Sequence, residues 1–436
     1  MRTGAPGPVG RATRRRWRHA LLSPTVWRLR LVYWGGAAAV AVLTAGYARL
    51  AREAEATYRA GLELDPGVGW LLPAVTLPLI GWLVARLAPA AAGSGAPQAM
   101  AALVVADERA RARLLAPRVV AAKIGLGAAA LAGGAAAGIF APSVQIGAAT
   151  MQAVGRHAGL AGRRAERGLV LAGAAAGIAA SFGAPLAGIV FAMEEMARSF
   201  EERANALLLT AVVLAGLVTV AMGWDATRGM PQLPDPVGTL WLAVPALGVG
   251  GGILGGLVAL VLVSALQGLE GIPPRRRLAV ATVCGLVVGT AALATGGEAV
   301  GTGLTEIEQL LAGGEAAPLL ALWKLLAATA TALSGVPGGL IGPGLAVGGA
   351  LGHGLAPLLP AVPPPLLVVV GMGGFVAGLL QSPLTVLVIV LEVADHHALV
   401  PPLMTTVFLA YGASRLVCDR PLYRALARGL AHQGRA

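Results

Sequence analysis

The sequence predicts an all-α integral membrane protein, duplicated about its middle and built from broken and tilted helices. Three observations predict it. Of 436 residues, 56% are hydrophobic and 12% are charged, about half the charged share of an ordinary soluble domain. Apolar runs recur along the whole chain. Glycine and proline interrupt those runs at matching places in the two halves.

The apolar runs lie near 31–48, 66–90, 119–140, 169–195, 205–223, 239–266, 279–296, 317–334, 345–359, 365–393 and 400–417, which makes ten or more membrane segments. A full helical crossing needs roughly 20 apolar residues, and several runs are shorter or interrupted. Non-helical backbone is tolerated at membrane depth only where it is buried in protein or lines a wet cavity. The breaks therefore mark the interior of the molecule. The run 31–48, with arginines before it, has the layout of a signal peptide. With so many spans behind it, it reads as the first membrane segment.

Net charge is +12, and the first thirty residues carry eight arginines and no acid. Further clusters at Arg109–Arg118, Arg163–Arg167, Arg275–Arg277 and Arg415–Arg428 sit in short loops and tails. The positive-inside rule then expects a multi-pass protein of the inner membrane with both termini cytoplasmic, its basic loops against the anionic headgroups of the lipid bilayer. No basic stripe alternates with aromatics, so no nucleic-acid partner is expected. Cys284 and Cys418 are isolated, with neither a disulfide framework nor metal spacing. Ser94 and Ser334 lie beside glycines, as a nucleophile would, but none of the six histidines (His19, His157, His353, His396, His397, His432) has a spacing tied to either serine. An enzyme is not expected. Glu392, Asp395, His396 and His397 read as a solvated loop, since adjacent histidines point in different directions on a helix. No metal and no cofactor are expected.

The duplication gives the domain organisation: a basic segment 1–30, a first membrane repeat 31–223, a linker 224–238, and a second repeat 239–436 ending in a short cytoplasmic tail. In the first half, Gly138-Ile139-Phe140-Ala141-Pro142 precedes Gly173 to Ile178, then Ala184-Pro185-Leu186 and Glu194-Glu195. In the second, Gly339-Leu340-Ile341-Gly342-Pro343 precedes Gly371 to Val376, then Ser382-Pro383-Leu384 and Glu392. The matching prolines are 201 residues apart (142 to 343) and 198 apart (185 to 383). Repeats with broken segments at corresponding places point to a transport fold with its site at the repeat interface. Whether the repeats run parallel or inverted stays open on these residues.

Gly133 to Gly147 is the central break. Proline suits the first position of a new helix, so the chain is expected to leave one helix near Phe140 and enter another near Ser143. A helix start inside an apolar protein offers unpaired amides and a partial positive charge to an anion. A proline-kinked helix packed through its glycines is the other reading of this stretch.

Five motifs in order resemble the CLC chloride channels and proton-coupled chloride antiporters, over roughly residues 30 to 430. These are Gly93-Ser94-Gly95-Ala96-Pro97; Gly138 to Pro142 with Ser143 to Gly147; Gly173 to Glu195; Ser334 to Pro343; and Arg420-Pro421-Leu422-Tyr423. The resemblance implies an inverted repeat of broken and tilted helices, a homodimer, and one pathway per subunit for chloride or similar small anions. It also implies that the soluble regulatory pair of some members is absent here. Chloride is then the ligand, with Ser94, Gly95, Phe140, Leu340, Ile341 and Tyr423 as the residues of its site. A helix cap for Ser94 and an interfacial role for Tyr423 are the alternatives. Partial charges suit the task, because conduction needs sites weak enough to leave.

Two departures matter. Most members resembling this chain carry a glutamate at the Phe140 position, as gate and proton carrier. Phenylalanine cannot ionise, so its ring either borders the pathway or swings aside and leaves it open. Passive anion movement is expected, with proton-coupled antiport through Glu195 and a non-standard relay as the alternative. Ile341 stands where phenylalanine is frequent in the family. The resemblance makes Glu195 a possible internal proton site. A structural role for Glu194 and Glu195, paired with Arg198, is the competing reading.

Overall fold

The computed structural model describes residues 23–160, 162–196, 206–224 and 230–433. The arginines before residue 23, Arg198, and residues 225–229 of the linker lie outside them. The helices are α1 (Pro24–Leu64), α2 (Pro66–Leu87), α3 (Ala96–Val104), α4 (Glu108–Leu114), α5 (Pro117–Ala132), α6 (Phe140–His157), α7 (Arg163–Phe182), α8 (Pro185–Phe191) and α9 (Ala206–Ala221). After the linker come α10 (Gly238–Gly268), α11 (Pro274–Ala294), α12 (Leu304–Leu311), α13 (Leu320–Leu333), α14 (Ile341–His353), α15 (Pro364–Leu380), α16 (Pro383–Ala394), α17 (Val400–Val417) and α18 (Leu422–Gln433).

Among the described residues six helices are long and apolar enough to cross a membrane, and four apolar helices are shorter, α9, α13, α15 and α16. The first helix exceeds the apolar run that announced it. It extends over 41 residues, because charged residues in its second half, Glu55 and Arg59, pair inside the molecule. The runs 169–195 and 365–393 each divide in two, at Pro185 and Pro383, which open α8 and α16. Proline at the first helical turn gives up no helical hydrogen bond.

Close helix crossings build each half. A Cβ on Gly147 would fall 2.0 Å from the Gly173 carbonyl oxygen, and one on Gly177 would fall 2.1 Å from that of Ser143. In the second half a Cβ on Gly348 would fall 2.4 Å from the Gly371 carbonyl oxygen. Only glycine lets α6 meet α7, and α14 meet α15, at backbone distance. Packing of this kind drives helix association in lipid, where burial of apolar surface does not.

The halves are inverted. Gly138 and Gly339 donate to each other's carbonyls, both at 2.8 Å, with the chain directions antiparallel where they meet. Reciprocal contact between equivalent residues marks a two-fold relation. The break that leads to it lies at 133–139, before Phe140 rather than after it: α5 ends at Ala132 and α6 begins at Phe140. Pro142 therefore sits in the first turn of α6, as Pro343 does in α14. Those amides have no intrahelical acceptor in any residue, so a proline costs nothing there.

Candidate functional site

Three loops from distant parts of the chain meet around the Gly138–Gly339 pair. Gly93 donates to the Val336 carbonyl at 3.2 Å, and Gly338 donates back to that of Gly93 at 3.1 Å. The segment holding Ser94 is thereby fixed to the segment that starts α14. Gly95 has φ of +99°, and a Cβ there would lie 3.1 Å from the Ala141 carbonyl oxygen and 3.0 Å from Lys123 Cε. Glycine at 95 is what brings the Ser94 loop against the first turn of α6.

The helix starts carry free donors. The amides of Phe140 and Ala141 in α6, and of Ile341 and Gly342 in α14, precede the first intrahelical bond. Each pair is the repeat equivalent of the other, 201 residues on (140 to 341). Ile341 is buried, and Leu340 is the residue before the helix.

Two hydroxyls in this region are orphaned. Ser94 Oγ and Tyr423 Oη are buried without a hydrogen-bond partner. A buried hydroxyl without a partner is costly, so an acceptor absent from the protein itself fits both. Helix α18 carries Tyr423 and packs along α3, which opens just after Ser94. Burial, with Glu195 nearby, pushes the Tyr423 phenol above its ordinary range, which keeps it a protonated donor.

Phe140 is buried and stacked on Phe182, with ring centroids 3.7 Å apart and planes within 7°. A Cβ on Gly342 would lie 3.4 Å from its ring. The phenylalanine is held at the start of α6, between the end of α7 and the start of α14.

Glu195 is buried; it accepts from the Ser382 hydroxyl, lies 3.8 Å from Arg424 Nε, and leaves Oε2 without a hydrogen bond. Glu194 accepts instead from Thr385, through both amide and hydroxyl at 2.7 Å. Both line a cavity of about 410 Å³ with Gln381, Tyr411, Arg415 and Arg424. The expected partner Arg198 lies outside the described residues. His396 meets Asp235 of the linker at 3.5 Å.

The profile of the family described as voltage gated chloride channel matches residues 76–415. The H(+)/Cl(-) exchange transporter ClcA of Vibrio vulnificus (strain YJ016) is 31% identical over 387 residues, 83% of this chain and 82% of that one. The chain belongs to the CLC family. ClcA of Yersinia pestis bv. Antiqua (strain Angola) is 33% identical over 383 residues, 83% of this chain and 78% of the relative. A crystal structure of a slow cyanobacterial Cl-/H+ antiporter matches with a TM-score of 0.79 at 25% identity, covering 93% of this chain and 99% of that one. A CLC-type fluoride/proton antiporter shares the fold at a TM-score of 0.74 and 22% identity, over 91% of this chain and 97% of its own. The protein is therefore a CLC-type anion transporter.

Three residues in and around this CLC site escaped the sequence reading. Lys123 in α5 is fully buried and donates to the carbonyls of Ala91 and Gly93, at 2.9 and 2.7 Å, in the segment that leads into Ser94. Lys324 in α13, 201 residues on (123 to 324), is equally buried and ties Glu298, Val300 and Glu306. A lone lysine in each of two apolar runs at the repeat offset was the available signal. Phe182 is the third omission, and nothing local marks it as the partner of Phe140.

Proposed function

We propose that the protein moves chloride, or a similar small anion, passively and without proton exchange. Ser94, Gly95, Leu340, Ile341 and Tyr423 form the anion site, and Phe140 stands at the gate. The observation that carries this reading is the Phe140–Phe182 stack at the start of α6. A hydrocarbon ring held there offers no atom that binds a proton. The orphaned Ser94 and Tyr423 hydroxyls and the unpaired helix-start amides supply the partial positive charge that a partly dehydrated anion needs. In this reading the protein is a homodimer of the inner membrane with both termini cytoplasmic, and no nucleic acid or cofactor takes part.

Proton-coupled antiport is the second reading. It is favoured by Glu195, whose Oε2 accepts no hydrogen bond and which lines the 410 Å³ cavity, and by relatives named H(+)/Cl(-) exchange transporters. Proteoliposomes loaded with chloride, with potassium permeability clamped by an ionophore, separate the two. The passive reading expects chloride release with no opposing proton movement. Protons driven uphill by a chloride gradient would overturn it.

A further inference from the structure

Helix α9 packs along α7 and α8, close enough that a Cβ on Gly216 would fall 2.6 Å from Pro185 Cγ. It ends in a Schellman turn. Gly223, at φ +74°, donates to the Val220 carbonyl at 2.9 Å, and Trp224 donates to that of Thr219 at 3.2 Å, the pairing that closes a helix on a left-handed glycine. The turn sets the first linker residue, Trp224, against the end of α7.

There the Trp224 indole N–H donates to the Ser181 carbonyl at 3.1 Å, in a buried bond. Ser181 lies in the last turn of α7, where carbonyls find no donor within the helix. The next residue is Phe182, fully buried and stacked on Phe140. On its other side Gly183, at φ +72°, and Ala184 both donate to the Ala179 carbonyl. The backbone that carries the Phe182 ring is thus pinned before and after it, and the first of these pins comes from the linker.

Trp224 is itself seated from α1. The Arg52 guanidinium lies 5.0 Å from the centre of the Trp224 ring, as a cation over an aromatic face, and Arg49 donates to the Met222 carbonyl. Arg52 also meets Glu308 of α12 at 3.6 Å, so α1, the linker and the second repeat join at this point.

We propose that Trp224 is a positioning residue for the gate: its indole holds the end of α7, and through it the Phe182 ring, against Phe140, so that the linker between the repeats sets how often the path opens. A stack fixes Phe140 only while both rings keep their backbones still. Without the indole bond the last turn of α7 frays, as unsupported helix ends do, and the Phe140 ring is released. The inference rests on the reading above, in which Phe140 stands at the gate of a passive path.

The test is chloride efflux from proteoliposomes, with proton movement recorded in the same traces, for wild type, Trp224→Phe, Phe182→Ala and the double variant. Trp224→Phe keeps an aromatic ring and deletes the N–H. It is expected to raise flux about twofold to tenfold, the scale of one neutral hydrogen bond. In the Phe182→Ala background it should change flux by less than about 1.5-fold, because a residue that acts through another is silent without it. Trp224→Phe flux equal to or below wild type overturns the positioning role. So does an equal rise in both backgrounds, which is what a merely structural tryptophan gives. If Trp224→Phe does not yield folded protein, benzothienylalanine at position 224, which exchanges the indole N–H for sulfur at nearly the same shape, enters the same comparison and the same outcomes decide. Phe182→Ala flux equal to wild type would instead remove the stack from the path, and the inference with it, and uphill proton movement would overturn the passive reading.

Discussion

Glu194 and Glu392 cap each other's helices. Glu194 accepts from the Leu384 and Thr385 amides, at 3.2 and 2.7 Å, at the start of α16, and Glu392 of α16 accepts from the Ala187 amide at 3.0 Å, at the start of α8. The two acids are 198 residues apart (194 to 392), as are Ala187 and Thr385. Each repeat thus supplies the carboxylate for the other's orphan amides, where the helix dipole favours negative charge. The second acid of the first-repeat pair, Glu195, is left for other work.

The reciprocal caps predict matched losses of stability. Glu194→Ala and Glu392→Ala should each lower the unfolding free energy by about 1–3 kcal/mol, the cost of leaving buried donors unpaired. Thermal melts of detergent-solubilised protein check this. A large drop for one and none for the other would mean the caps are not equivalent.

Phe140→Glu places a carboxylate where the ring now stacks. Flux should slow and become dependent on pH, since the new group both competes with the anion and titrates. Unchanged, pH-independent flux would remove Phe140 from the path. Phe182→Ala deletes the stacking partner, an aromatic pair worth about 0.5–1.5 kcal/mol beyond its area. It should raise flux severalfold by freeing the ring, as anion efflux from proteoliposomes would register.

Ser94→Ala should weaken chloride binding roughly tenfold, because a hydrogen bond to a charged group contributes about 1.5–3 kcal/mol. It should leave stability unchanged or slightly raised, since the hydroxyl has no partner in the protein. Calorimetric titration beside a thermal melt reads both quantities. Ser94→Pro should shift the preference between nitrate and chloride, and identical selectivity would end the ligand role of this loop.

Glu195→Gln keeps the acceptor for the Ser382 hydroxyl and removes the charge beside Arg424. Under the passive reading chloride flux and its proton traces stay as in wild type, to within about twofold. Loss of a proton flux on this substitution would assign Glu195 to a relay.

Some of this was legible in the sequence because it is written locally. Apolar runs, their breaks and the offsets of 201 and 198 residues gave a duplicated helical membrane protein, and motif order gave the family. The absence of an acid at Phe140 is likewise a one-letter fact. The helix boundary was misplaced by a few residues, because proline is equally at home at the first position and later in the first turn. The inverted relation, the Phe140–Phe182 stack, the exchange of caps between Glu194 and Glu392, and the bond from Glu55 to Thr302, 247 residues away, belong to the tertiary structure alone. Each depends on a partner far along the chain. Pairing of that kind is set by which faces the packed helices bring together, and neither periodicity nor composition encodes it.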